Sequence, residues 1–450
     1  MRQIDFEHGG IAQNILKAAL PMLVAQVLNL LYNIVDRIYI ARIPDIGTAA
    51  LGAVGLCFPI IVIITAFSNL FGSGGAPLFA IARGSGDKAR AGLILNLACT
   101  LLLCCAGVLM VIGLLFARPI LVLFGASPEA LQYALPYLML YLLGTYPSML
   151  TTGLNPFINA QGYATAGMLS VVIGAAANLV LDPLFILPQF LGLGAVGAGM
   201  ATCLSNVLST LYFLVHLLRC QGETAVDLHP RHLPFIRKYG KEILAIGFPS
   251  ALQYALTVVA VAAQSRFVSR YATEAVAGLG IVKKLDQLPL YFSIGVSNGL
   301  LPLLAYHYAA GQQEKRRAAF RLGCTLSLAF ALLCLVTFEL FAPQLASLFI
   351  DDPATIHYSA GFLRRMVIAM PMMSLCYPMI IQFQAMGKAR ESLVCSILRK
   401  GVLDIPLLFL LDTWLPLYGC MWVQPIVDTI SLIIAIGFYR ALRRKEDASP

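Results

Sequence analysis

Twelve long apolar runs constrain this chain more than any other feature of its sequence. Reading between polar breaks places them near residues 14–40, 50–80, 92–117, 130–160, 164–187, 193–218, 240–270, 276–308, 317–341, 356–385, 390–412 and 417–441. About 20 consecutive apolar residues carry an α-helix across a bilayer. In lipid the backbone must satisfy its own hydrogen bonds, which leaves helices or closed barrels. The runs are continuous rather than alternating every second residue, so a barrel is disfavoured. The expected fold is therefore an all-α polytopic membrane protein of twelve transmembrane helices. Several runs exceed the span length, which predicts tilt or extension beyond the bilayer. Only 12% of the 450 residues are charged, with a mean hydropathy of +0.81. That is about half the charge of an ordinary soluble domain, too little to cover a soluble surface. A soluble enzyme, a collagen-like fibre and a disordered chain are excluded as descriptions of the whole.

Basic residues orient the spans. Arg2, Lys17, Arg83, Lys88, Arg90, the stretch Arg219 to Lys241, Lys315, Arg316, Arg317, Arg321, Lys388, Arg390 and the stretch Arg440 to Lys445 fall on one side, and they are most of the 31 Lys and Arg. The other side holds Arg37, Arg42, Arg118, Arg266, Arg270, Arg364 and Arg365. Cytoplasmic loops collect Lys and Arg, so both termini are expected in the cytoplasm of a multi-pass plasma (inner) membrane protein. The net charge of +9 thus marks topology and lipid headgroups, with no nucleic-acid partner. Met1 to Gly10 lacks the apolar core of a signal peptide, so the first span is expected to be retained. The 11 cysteines sit mostly inside apolar runs without a Cys-x-x-Cys pair, as packing residues do.

The chain repeats itself at its midpoint. Ile15–Pro21 (ILKAALP) recurs as Ile243–Pro249 (ILAIGFP), and Gly84–Arg90 (GSGDKAR) as Gly311–Arg317 (GQQEKRR). Phe116-Ala117 to Leu123-Phe124 recurs at Phe341-Ala342 to Leu348-Phe349, and Leu181-Asp182-Pro183 as Leu403-Asp404-Ile405-Pro406. The offset stays between 222 and 229, a duplication of six spans. Six is even, so the copies are parallel. The expected domains are an N-lobe at 1–218 with a cation site, a basic cytoplasmic linker at 219–241 and a C-lobe at 242–450. Repeats that meet across a central cleft are how secondary transporters achieve alternating access.

Polar side chains within spans are functional candidates by default. Gln26, Asn29, Asn33 and Asp36 follow one helical face of the first span. Asn178 and Asp182 stack four apart in the fifth, and Thr202, Ser205, Asn206 and Ser209 form a stripe in the sixth. These carboxylates, amides and hydroxyls suit either a proton or a hard cation such as sodium, or they join helices by hydrogen bonds. In the second copy Gln264 replaces Asp36, and Lys400 and Asp404 replace Asn178 and Asp182. A lysine four residues before an acid permits an internal ion pair, which confines the expected cation site to the first lobe. Asp286, three residues after Lys283, is expected to pair with it.

The segments Asn33–Arg42 (NIVDRIYIAR), Ala50–Gly55 (ALGAVG), Asn155–Gly162 (NPFINAQG), Asn178–Ile186 (NLVLDPLFI) and Gly194–Thr202 (GAVGAGMAT) resemble the multidrug and toxic compound extrusion family. The resemblance runs over the whole chain. It implies two six-helix lobes around a V-shaped cleft and a monomer that exports organic cations or drugs by antiport with H+ or Na+. It implies a coupling site on Asp36, Asn178, Asp182 and Thr202. A glutamate that another branch carries in its seventh span has no counterpart here, where Val258 stands and no acid occurs between Pro249 and Glu274. An organic cation needs aromatic faces and soft sulfur, for which Tyr32, Phe58, Tyr141, Tyr254, Tyr291, Met373 and Tyr377 stand near span middles.

Two other functions compete. A lipid-linked oligosaccharide flippase of the wider superfamily would favour basic groups facing a pyrophosphate and commonly has extra spans. An intramembrane enzyme is disfavoured by the missing Gly-x-Ser-x-Gly and His-Glu-x-x-His motifs, and the missing Gly-x-x-x-x-Gly-Lys-Ser/Thr run argues against ATP as a partner. Gly192-x-Gly194-x-x-Gly197 matches a dinucleotide fingerprint but opens a membrane span without a preceding strand. No organic cofactor is expected. The only candidate metal is the coupling sodium ion.

Overall fold

The computed structural model describes residues 10–41, 43, 47–124, 126–219 and 234–447. Every regular element among them is helical. The first half of the sequence forms α1 (Ile11–Ala41), α2 (Gly47–Gly84), α3 (Lys88–Leu123), α4 (Pro128–Leu143), α5 (Thr145–Ala160), α6 (Ala164–Ile186) and α7 (Gly194–Arg219). The second forms α8 (Lys241–Val268), α9 (Thr273–Ala309), α10 (Gln313–Leu340), the short α11 (Ala342–Ser347), α12 (Pro353–Met366), α13 (Met370–Ala385), α14 (Ala389–Arg399), α15 (Asp404–Trp414) and α16 (Gly419–Asp447). Ten segments among the described residues are long and apolar enough to cross a membrane. The two remaining expected spans are each broken: α4 and α5 meet at Gly144, and α14 and α15 are separated by a turn at 400–403. The expected linker falls largely on 220–233, outside the described residues.

Local sequence explains where the helices begin and end. Asp87 accepts the Arg90 N–H at 2.9 Å, Ser127 the Ala130 N–H at 3.1 Å and Asp352 the Thr355 N–H at 2.8 Å. Each supplies an acceptor to a helix end that has none of its own. Ser127 and Asp352 are both followed by proline, whose fixed φ suits the first helical position. Turns between helices use glycine in the left-handed region: Gly86 (φ 78°) and Gly311 (φ 70°), Gly162 (φ 91°) and Gly387 (φ 68°). Each pair is separated by the repeat distance, so the duplication is preserved in backbone conformation as well as in letters.

The residues divide into two compact units. One runs from Val24 to Gly247; the other runs from Phe248 onward and includes the opening of α1 up to Leu23. The first helix of each half is thus shared. In the first unit, the start of α8 crosses α2 at backbone contact distance. A Cβ on Gly247 would stand 1.7 Å from the Leu70 carbonyl oxygen, and one on Gly74 would stand 2.1 Å from that of Ile243. In the second unit the opening of α1 crosses α9 in the same way, with a Cβ on Gly299 falling 2.7 Å from Ala19 Cα. Small residues are what allow such approaches between helices in lipid.

The first unit is also joined by polar contacts. Asn155 donates to the Gly167 carbonyl at 3.0 Å, and Asn159 donates to the Asn155 side-chain oxygen at 2.9 Å. The Ser209 hydroxyl donates to the Ser170 carbonyl at 2.6 Å, and Thr151 and Thr210 share a hydrogen bond of 2.7 Å. The segment Asn155–Gly162 therefore fastens α5 to α6, and Ser209 fastens α7 to α6. The second unit buries an ion pair, Arg399 Nε to Asp428 Oδ1 at 3.1 Å, with side chains 1% and 0% exposed. The Arg399 guanidinium lies 4.1 Å from the Tyr377 ring centroid. Gln424 donates to the second Asp428 oxygen at 2.6 Å, so both carboxylate oxygens are satisfied.

Three substitutions test this packing in detergent-purified protein. Gly247→Ala should lower stability by about 1–3 kcal/mol, since its methyl meets backbone that cannot swing aside. Gly437→Ala, with open space around it, should leave the thermal midpoint unchanged; equal midpoints for the two would contradict the crossing. Arg399→Met strands a buried carboxylate and should cost about 3–5 kcal/mol, read as a fall in the same midpoint.

Candidate functional site

The first unit gathers its acids. Asn178 and Asp182 lie one turn apart on the uninterrupted α6, and both are buried, at 2% and 1% exposure. The Asp182 carboxyl has the Asp36 carboxyl of α1 as its hydrogen-bonding neighbour. Two carboxylates cannot share a hydrogen bond without a proton between them, and two negative charges this close repel each other. A proton on either carboxyl relieves that repulsion.

The neighbours complete an oxygen-rich site. With its nitrogen towards Asp182, the Asn178 amide donates to the two carboxylate oxygens at 2.5 and 2.8 Å. The other end of that amide lies 3.4 Å from Thr202 Oγ1 on α7, and the Thr202 hydroxyl donates to the Ala198 carbonyl at 3.0 Å. The site is thus built from α1, α6 and α7, and the expected residues Asp36, Asn178, Asp182 and Thr202 do converge. The same chemistry of carboxylate, amide and hydroxyl oxygen fits a proton or a hard cation.

An aromatic wall adjoins it. Tyr137 of α4 is buried and bears electrostatically on Asp36, Tyr32, Tyr141 and Cys57. Its ring stacks on Tyr141, centroids 6.4 Å apart. The Cys57 thiol donates to the Ala134 carbonyl at 3.6 Å, which ties α2 to α4 beside these rings. Tyr137 was absent from the sequence expectations. Its signal was the four-residue spacing to Tyr141, which puts both rings on one helical face.

The remaining expected residues divide. Gln26 and Asn29 lie partly exposed on α1, and the Asn33 side chain falls outside the described residues. Ser205 is buried, and its hydroxyl has no hydrogen-bond partner. Asn206 lends its backbone carbonyl to Thr210 at 2.8 Å. Phe58 stands 46% exposed on α2. In the second unit Tyr254 neighbours Tyr291 and Tyr377, and Gln253 donates to the Tyr377 hydroxyl at 3.4 Å. Met373 is buried on α13, at 3% exposure.

Two expected ion pairs do not form. Lys400 and Asp404 do not share a continuous helix, because Gly401 (φ 135°) breaks the chain between them. Asp404 accepts the Gly401 N–H at 2.7 Å, while Lys400 donates to Gln424 Oε1 at 2.5 Å. Lys283 and Asp286 make no ion pair within 4 Å, although each feels the other's charge. With a repeat offset of 222, Gln424 stands where Thr202 stands in the first unit. The second unit therefore places Gln264, Lys400, Asp404 and Gln424 at the counterparts of Asp36, Asn178, Asp182 and Thr202, and these four line one cleft. Gln264 is committed to the Cys420 carbonyl at 2.9 Å.

Known proteins share this architecture. The family model MatE matches residues 21–184 and 249–410. The multidrug export protein MepA of Staphylococcus haemolyticus is 26% identical over 440 residues, covering 98% of this chain and 96% of the relative. MepA of Staphylococcus aureus is 23% identical over 442 residues, with 97% and 95% covered. A solved outward-facing MATE family transporter of the MOP superfamily superposes with a TM-score of 0.91 at 25% identity, covering 100% of this chain and 99% of that one. A MATE structure in a bent conformation gives a TM-score of 0.90, also at 25% identity. The family match spans both halves of the repeat, and this chain belongs to the MATE family of membrane transporters.

Proposed function

We propose that this chain is a secondary active antiporter that exports organic cations and drugs in exchange for H+ or Na+. The observation that carries this reading is the carboxyl–carboxyl contact of Asp36 and Asp182, enclosed by Asn178 and Thr202 in an apolar helical unit. Relatives named as multidrug export proteins, matched nearly end to end, support the export of drugs. The oxygen donor set and the demand for positive charge support coupling to a cation.

The geometry gives the exchange its logic. A proton or sodium ion between the carboxyls neutralises the site, and an organic cation nearby can do the same. Two ligands that compete for one pair of negative charges cannot be held together, so binding of either favours release of the other. Tyr32, Tyr137 and Tyr141 supply the faces that a flat cationic drug would meet beside Asp36. In this reading the protein works as a monomer in the plasma membrane, with both termini cytoplasmic and without ATP.

Asp36→Asn and Asp182→Asn should each abolish gradient-driven ethidium efflux in proteoliposomes while the protein still elutes as a folded species. Imposing a pH gradient and a sodium gradient separately identifies the coupling ion. Full efflux by either variant, or wild-type efflux driven by neither gradient, would contradict the assignment.

A further inference from the structure

Two helix ends that meet in the second unit carry the charges their own helices disfavour. Arg316 and Arg317 stand in the opening turns of α10, and Glu446 and Asp447 are the last two residues of α16. The start of a helix disfavours cations and its end disfavours anions, so neither pair suits its own helix. They answer each other instead. Arg316 Nη2 donates to both Glu446 carboxylate oxygens, at 2.7 and 2.6 Å, and Arg317 Nη2 donates to Asp447 Oδ1 at 2.5 Å. The Arg316 side chain is 3% exposed and that of Glu446 16%, so this contact is shielded from water as surface pairs are not. Arg316 Nη1 also donates to the Met386 sulfur at 2.9 Å, where Gln382 donates as well at 3.2 Å, and its guanidinium lies 5.6 Å from the Tyr308 ring centroid. One arginine thus joins the end of α9, the turn after α13 and the end of α16.

We propose that the last turn of α16 is an ionic clasp: Glu446 and Asp447 are the built-in ligands of Arg316 and Arg317, and export requires the clasp to be closed. Charges that destabilise their own helices when parted leave two states with little between them. Either α16 is docked and helical to Asp447, or its end is frayed and Arg316 stays buried without its carboxylate. The turn at Met386 then loses the arginine that holds it. The first unit has only the outer half of this device. Arg90 is the counterpart of Arg317 at an offset of 227 and meets Glu242, but at 3.6 Å with the two side chains 36% and 40% exposed. Ala89 stands at the counterpart of Arg316, so the buried half belongs to the second unit. Antiport by alternating access moves each repeat largely as a rigid body, and the clasp keeps α10, α13 and α16 together where their ends would otherwise part. Its role in export rests on the antiport reading; the clasp itself does not.

Hydrogen–deuterium exchange on the purified full-length protein reads the clasp directly. Glu446→Gln should speed exchange about tenfold over residues 440–447 and over the turn at 383–388. Exchange at wild-type rates in that variant overturns the proposal, and so does faster exchange confined to 440–447. The half-exposed outer pair gives a second series should Glu446→Gln fold poorly. Arg317→Asp should open the clasp, and Arg317→Asp combined with Asp447→Arg should close it again, because the reversed charges attract and each now suits its own helix end. A reversal that exchanges as fast as the single variant overturns the proposal. Gradient-driven ethidium efflux should fall about fivefold or more in Arg317→Asp and recover in the reversal; undiminished efflux with an open clasp overturns its role in export. Absence of efflux by the wild type would instead count against the antiport reading alone, and the exchange rates would still decide the clasp.

Discussion

Charge buried among apolar helices has to be answered within reach of its own side chain, and the two units answer it in opposite ways. In the second unit the Asp428 carboxylate is answered by the protein itself, one oxygen by Arg399 and the other by Gln424. In the first unit an acid faces an acid. That contact is unstable alone and becomes stable with a proton or a cation supplied from outside. The proposed antiport rests on this difference between a charge answered by the protein and a charge answered by a ligand. In that proposal the cost of burial, several kcal/mol per ion, is what favours binding of an exchangeable partner.

Duplication supplied the framework on which the difference arose. The left-handed glycines of the turns, the prolines after Ser127 and Asp352 and the close crossings at Gly74 and Gly299 recur at the repeat spacing. They are backbone requirements, which side-chain chemistry cannot replace. The positions between them were free to diverge. Asn178, on an unbroken helix, donates to Asp182; its counterpart Lys400 stands at a break, and Asp404 accepts the Gly401 N–H.

Sequence alone carried the membrane class, the duplication and the polar stripes that bring Asp36, Asn178, Asp182 and Thr202 together in the first unit, because these follow from periodicity and spacing along single helices. Asn178 and Asp182 stack since four residues make about one turn, and Thr202 lay on the adjoining stripe. What spacing could not carry was whether a helix continues. The pairing expected of Lys400 with Asp404 assumed an unbroken turn, which Gly401 removes. Met373 and Tyr137 show the related limit. Each depends on which face of α13 or α4 is enclosed, and that is decided by neighbouring helices remote in sequence. Asn155 and Asn159 stand in a segment that resembles the family, yet Asn155 holds α5 to α6 and Asn159 donates to Asn155 within α5.

The sharing of α1 and α8 has a consequence for how the chain is made. The first unit is complete only when synthesis has passed Gly247, since the opening of α8 fills the space beside Gly74. The opening of α1, emerging long before, has no place to settle until α9 brings Gly299 to it. The opening turns of α1 are thus among the last to find their partners. In the interval, the apolar face of Ile15, Ala18, Ala19 and Met22 has to be kept in lipid or by the insertion machinery.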